Sequence, residues 1–351
     1  MCEKEARELI RIPPFCTCPP QPKADAPLAQ VVWRKGGVGG ILLLLFVCCS
    51  SIAHADVYTD TMRGKDLLYQ RNYPAAIELF RQIEADYPDC TAGIFGQMAA
   101  YQIMMYENMD YRWKAEFEEI EDRFERRAGK NIKSDPSSWN LFMTGAAYGM
   151  RGFYYMRDDR WFRALGSATK GIRLMKRIIN DDPEFIDARL GPGMYDFWRT
   201  VYTKEITSLP FFPDRREEGL VAVKDVIERG LYGRDLAETN LAYMLAQNKQ
   251  YKESRELADK YLAKYSENII LRQLSARLYF SEREYQKAID EYERILKQDS
   301  SMTKSLYYIG YTYMRLPGGQ LMARKYLNDF LATNPEKHWA KYARKNLEKL
   351  P

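Results

Sequence analysis

Acid–base and nucleophilic chemistry would have to be assembled in this chain from very little. It contains 2 histidines, His54 and His338, and only His338 follows Asp56, beside Trp339 near the far end. A Ser-His-Asp or Cys-His arrangement needs an imidazole held between a nucleophile and an orienting group. One histidine next to a terminus does not supply it. Zinc and iron sites of the common His/Cys kind fail on the same shortage. Of the 6 cysteines, Cys2, Cys16, Cys18, Cys48 and Cys49 precede residue 56, and only Cys90 follows. The spacings Cys16/Cys18 and Cys48/Cys49 match no zinc pattern, and Cys90 reads as a buried small hydrophobe. Pro317-Gly318-Gly319-Gln320 lacks the Lys and Ser/Thr that would hold phosphate and magnesium. The pairs Asp158-Asp159 and Asp181-Asp182 are adjacent in sequence rather than set across a cleft, as glycoside hydrolysis requires. They read as helix-capping groups. The expectation is a non-enzyme with no catalytic site, cofactor or metal.

Recognition is better provided for. Tyr195, Trp198, Arg199 and Tyr202 fall on one helix face, at i, i+3, i+4 and i+7. Aromatics with Arg are common anchors of a protein or peptide interface; packing between helices is the competing account. In Leu209-Pro210-Phe211-Phe212-Pro213 the prolines favour an extended loop. That loop is either a plug folded back on the chain or an exposed contact with a partner or membrane.

The elements that must carry these residues are helices. With 46% hydrophobic and 29% charged residues the composition is that of a folded chain, and 26 Tyr, 15 Phe and 6 Trp supply bulky knobs for helix packing. A net charge of +5, not gathered on one face, gives no nucleic-acid footprint. Ala242, Ala276 and Gly310 recur at intervals of 34 residues. Ser254, Ala288 and Ala323 follow at 34 and then 35, the extra residue falling where Pro317-Gly318-Gly319 widens a turn. Ala258, Tyr292 and Leu327 keep the same offsets. Period 34 with small residues at the eighth and twentieth places is the mark of a stacked helical hairpin.

On these residues the chain resembles the tetratricopeptide-repeat family, most closely at Tyr285-Gln286-Lys287-Ala288-Ile289-Asp290-Glu291-Tyr292. An N-terminal unit matches through Gly64, Tyr73, Ala76, Phe80 and Pro88, and Pro335 closes the last repeat. Ser266 and Ser300 depart from the expected proline. The resemblance implies an all-α, right-handed α-α solenoid whose inner helices line a concave, protein-binding groove. The middle, Gly145-Ala146-Ala147-Tyr148-Gly149 and Asp187-Ala188-Arg189-Leu190-Gly191-Pro192-Gly193-Met194-Tyr195, is similar to bacterial exported repeat proteins. It is also similar to a eukaryotic repeat family associated with mitochondrial outer membranes and inclusion clearance. That implies a solenoid near a membrane without known catalytic residues.

The organisation read along the chain is an N-terminal repeat at 56–90, an irregular helical section at 91–234, three repeats at 235–335 and a capping helix at 336–351. In the middle, Trp113, Phe117, Ile120 and Phe124 mark one apolar helix face. Ser134 or Asp135 is expected to cap the next helix with Pro136 as its first residue. Asp182-Pro183 is expected to start a helix that Gly191-Pro192-Gly193 interrupts. In the cap, Trp339, Ala343, Leu347 and Leu350 form one stripe. The basic Lys341, Arg344, Lys345 and Lys349 serve either solubility or attraction to an acidic partner or anionic lipid.

Ahead of all this, Arg34-Lys35, an apolar run from Ile41 to Cys49 and Ala53-His54-Ala55 predict a signal peptide over 31–55, cleaved before Asp56. Residues 1–30 read as a disordered or untranslated leader, with translation starting near Val31 or Val32. Lipidation at Cys48 or Cys49 is the alternative, with Val47 a poor residue to precede it. The functional expectation is an exported, periplasmic scaffold or adaptor in a bacterium. It would bind a protein or peptide in its groove, in envelope assembly or secretion, with peripheral membrane contact open. The alternatives are an outer-membrane assembly lipoprotein, an envelope enzyme or accessory subunit, and a homotypic scaffold.

Overall fold

The computed structural model describes residues 57–203 and 213–351. The leader, the signal peptide with Ala53 and Ala55, Cys48, Cys49, Phe211 and Phe212 lie outside the described residues, as does the side chain of Tyr202. Within them the chain is helical throughout and has no strand. The elements are α1 (57–69), α2 (Tyr73–Asp86), α3 (Ala92–Glu107), α4 (Lys114–Ser134), α5 (Ser138–Arg157) and α6 (Trp161–Asp181). A 3-10 turn at Ile186–Arg189 leads into α7 (Leu190–Thr203) and α8 (Arg216–Arg229). The remainder is α9 (Arg234–Gln247), α10 (Tyr251–Lys264), α11 (Ile269–Ser281), α12 (Tyr285–Gln298), α13 (Lys304–Tyr313), α14 (Gln320–Ala332) and α15 (Lys337–Leu347). Consecutive helices pair as antiparallel hairpins that stack into a repeat solenoid, with α15 packed on α14. No helix among the described residues is long and apolar enough to cross a membrane.

The small residues of the repeat pattern sit where paired helices touch. Ala242, Ala276, Ala288 and Ala323 are wholly buried, and the Ser254 hydroxyl donates to the Ala242 carbonyl at 2.6 Å. The tightest contact lies in the first repeat. Phe80 of α2 is inserted between Gly64 of α1 and Gly96 of α3, where a Cβ would meet its ring at 2.4 and 2.0 Å respectively. A second periodic feature is in the turns. Arg71, Met109, Asp159, Lys249, Arg283 and Asn334 all have positive φ and each follows the first or second helix of a hairpin. The left-handed residue ends one helix and lets the chain reverse.

Two helix starts differ from the expectation. α5 begins at Ser138, not Pro136: the Ser137 hydroxyl accepts the Asn140 N–H at 3.3 Å, while Asp135 accepts the Ser137 N–H at 3.1 Å. The acid shapes the turn and leaves capping to the serine. Gly191-Pro192-Gly193 does not interrupt a helix either. Pro192 falls in the first turn of α7, where its missing N–H has no intrahelical partner to lose. The buried Asp187 carboxylate anchors this corner by accepting the N–H groups of Leu231, Tyr232 and Gly233 at 3.0, 2.8 and 2.5 Å, ahead of α9.

The largest departure concerns the concave groove, which is filled by the chain itself. Inner helices α3 and α9 are buried on nearly every side, from Ala92 to Ile103 and from Leu236 to Ala246. They meet inner helices from distant repeats: α3 packs on α11 as well as on α5. A helix without a polar face must be covered all round, and here distant repeats provide the cover.

Candidate functional site

The residues that close the groove are polar, and they pair across long sequence separations. Arg71, in the turn after α1, donates to both Glu107 carboxylate oxygens at 2.8 and 3.0 Å, and to Asp299 at 2.7 Å. The Tyr73 hydroxyl donates to Glu107 at 2.6 Å, whose side chain is 3% exposed. Lys65 of α1 donates to Asp235 of α9, and the Tyr265 hydroxyl donates to Asp66 at 2.7 Å. From the α3–α4 turn, the Met109 carbonyl accepts from Lys304 of α13. Gln273 of α11 donates to the Glu107 carbonyl at 2.6 Å. Arg277, fully enclosed, lies among Tyr106, Tyr243, Tyr292 and Tyr308. Polar networks of this kind hold one geometry when their members are satisfied.

The electrostatics of the clasp follow from burial set against these partners. Burial raises the Asp235 carboxyl, but Lys65 in direct contact and the Tyr261 hydroxyl outweigh it and hold the group below its usual range. Burial likewise opposes ionisation of Asp299, and Arg71 overcomes it. At Glu107 burial prevails and pushes the carboxyl up. A depressed folded-state pKa contributes stability above the unfolded value, about 3.9 for Asp. That contribution disappears as pH falls through the folded value. The stability difference between the native chain and Asp235→Asn is therefore expected to be constant at neutral pH and to shrink as pH falls below about 4. Urea titrations of both proteins between neutrality and acid check this. A difference that grows on acidification contradicts it.

The residues expected to bind a partner have a different setting. Tyr195 and Arg199 are half-buried on α7, the guanidinium 5.6 Å from the tyrosine ring centroid. Trp198 is 4% exposed and belongs to the core, edge-on to Phe197. Packing between repeats thus accounts for the indole. All three nevertheless line one cavity of about 320 Å³ between α5, α6 and α7. Its other walls include Gly145, Gly149, Met150, Trp161, Leu165 and Met175. Sequence reasoning did not single out the exposed start of α6. The signal was present, because Trp161, Phe162 and Leu165 stand on an otherwise basic helix.

Cys90 is buried, and burial pushes its thiol up to about 11. Asp158 pairs with Arg160 at 2.8 Å and with Lys114 at 3.3 Å. Asp182 accepts the Ser138 hydroxyl at 2.5 Å. Among the described residues no group of three or more His, Cys, Asp or Glu is arranged to hold a metal ion.

Comparison with known proteins gives the repeat its name. Residues 61–95 match the model of the tetratricopeptide repeat. Among solved structures the chain is similar to one in the crystal structure of the APC/C hetero-tetramer Cut9–Hcn1, with 14% identity and a TM-score of 0.52. The match covers 82% of this chain and 50% of that one, so this chain spans about half its length. It is also similar to a tetratricopeptide repeat protein from Parabacteroides merdae ATCC 43184, with 12% identity, a TM-score of 0.39 and coverage of 83% and 97%. No curated protein matches.

Proposed function

We propose that this tetratricopeptide-repeat solenoid is an exported, non-catalytic scaffold that presents its outer helices, rather than its groove, to a protein partner. The observation that supports this most directly is the filled groove. Inner-helix positions that would read a peptide in an open solenoid are occupied by the clasp of Arg71, Glu107 and Asp299 and by the buried faces of α3 and α9. The second helices α2, α4, α6, α8, α10, α12 and α14 keep a solvent-facing side. Val221 on α8 and Leu321 on α14 are 59% and 78% exposed there, apolar residues on otherwise polar surfaces. Stacked repeats offer such a surface as one continuous face. The signal-peptide pattern over 31–55 supports placement in the bacterial envelope, where assembly or secretion are the processes that employ such an adaptor.

Photo-crosslinking residues introduced in cells at positions 221, 321 and, as a groove position, 102 test the reading. The expected result is a discrete adduct from 221 or 321 and none from 102. An adduct confined to 102 would show that a partner enters the groove. Turnover of a glycan or peptide by the purified chain would overturn the scaffold reading altogether. For export, the mature protein is expected in the periplasmic fraction with Asp56 as its first residue; an uncleaved chain in the cytoplasm removes that part.

A further inference from the structure

Helix α6 differs from the other outer helices in what it leaves uncovered. At its start Trp161 is 58% exposed, Phe162 94% and Leu165 57%. Trp161, Leu165, Ala168 and Ile172 follow one another at helical spacing along one face, and all four line the cavity shared with α5 and α7. Because Trp161 and Leu165 are both exposed and cavity-lining, the cavity opens to solvent between them. Beside this stripe the helix carries Arg163, Lys170, Arg173, Lys176 and Arg177, all exposed, against the single acid Asp181. Lys170 pairs with Glu125 and Arg177 with Asp181. Arg173 and Lys176 make no ion pair among the described residues.

We propose that this face of α6 docks on an anionic phospholipid bilayer, with one acyl chain entering the cavity between α5, α6 and α7. The charge selects the surface. Arg173 and Lys176, further along the helix face that starts with exposed Trp161, Phe162 and Leu165, match the headgroup layer, where aromatic side chains sit with one end apolar and the other wet. The cavity selects the chain. Its inner walls are glycines, alanines, methionines and aromatics, with Arg199 at hand as the one charged residue. A binding pocket for a polar ligand or a peptide carries several convergent hydrogen-bonding groups; hydrocarbon needs none. A sealed apolar cavity of about 150 Å³ already takes up benzene, and this one measures about 320 Å³. Methionine walls adapt to a flexible guest. The inference is independent of which protein the outer face engages.

Flotation of the full mature chain with vesicles tests it. Vesicles of phosphatidylcholine with one-third phosphatidylglycerol are expected to carry the protein, and pure phosphatidylcholine vesicles much less. Trp161→Ala with Phe162→Ala, and separately Arg173→Glu with Lys176→Glu, are expected to weaken binding by roughly tenfold or more. These side chains are exposed, so folding survives their loss. Lys341→Glu with Lys345→Glu on α15, a basic helix away from the cavity, serves as the control and leaves binding unchanged. Gly149→Leu addresses the cavity directly: nothing lies within 4 Å of where a Gly149 Cβ would stand. A leucine there fills cavity space and favours the helix. It is expected to lower vesicle affinity several-fold while the melting temperature holds or rises. Equal flotation with both vesicle types, or α6 variants that bind like the native chain, overturns the docking. Native affinity in a stably folded Gly149→Leu overturns the acyl-chain site. Capture of a soluble protein by the α6 face, with vesicles ignored, assigns the face to a protein partner instead and also overturns the proposal.

Discussion

Arg71→Ala lowers the stability of the folded chain by about 3–5 kcal/mol, because it strands the Glu107 carboxylate in the interior. Glu107 keeps only the Tyr73 hydroxyl and neighbouring dipoles once both guanidinium bonds are gone. Asp299, which is 27% exposed, loses a partner but retains water. The effect reaches beyond one pair, since Arg71 joins the first hairpin to the turn that follows α12. Urea unfolding measures the loss, and small-angle scattering is expected to show a larger radius of gyration below the unfolding transition. Replacing both charged partners, as Arg71→Met with Glu107→Met, is expected to recover most of the stability. Apolar substitution of a whole buried pair is often neutral, whereas removal of one member is not. A single-variant loss below about 1 kcal/mol would mean that the clasp is solvated and the groove opens readily.

Phe80→Ala is the second large effect, about 3–5 kcal/mol. The ring is wholly buried and fills the notch left by two glycines on different helices, so its removal leaves a cavity that backbone on both sides prevents from collapsing. Gly96→Ala approaches the same contact from the other side. Its new Cβ would stand 2.0 Å from the Phe80 ring, an overpacking expected to cost about 1–3 kcal/mol. The two changes share one space, so they should not add. Gly96→Ala is expected to cost clearly less in a Phe80→Leu background than in the native chain. Equal costs in both backgrounds would refute the notch as the reason for glycine at 64 and 96.

The contrast between these two sites shows what was legible. Phe80, Gly64 and Ala76 were readable because steric contact within and between adjacent hairpins repeats with the period of the chain, and a small residue every 34 positions is visible as such. The clasp was not. Arg71, Asp235, Asp299 and Lys304 are residue types that ordinarily face water, and nothing in a local window says that a partner more than 160 residues away will cover them. The clearest available sign was α3, whose sequence from Ala92 to Tyr106 offers Gln97 and Gln102 as its only strongly polar side chains. Such a helix cannot line an open groove. The aromatic helix was half legible: Tyr195 and Arg199 do stand together, but the depth at which Trp198 sits depends on α5 and α6, outside any local pattern.

The self-filled groove also sets an order of events. In an ordinary repeat array each unit leans only on its neighbours, so partial arrays fold and ends can be trimmed. Here α3 has no complete cover until α11 has been made, the turn after it waits for Lys304 of α13, and contacts such as Arg71 with Asp299 span 228 residues of chain. A nascent chain must therefore carry an unprotected apolar helix through most of its synthesis, which invites aggregation and slows folding. Trimming repeats from the C-terminal side removes that cover as well as the repeats themselves. Deleting everything after Gln298 is expected to yield an aggregation-prone chain, a solenoid that does not survive being shortened.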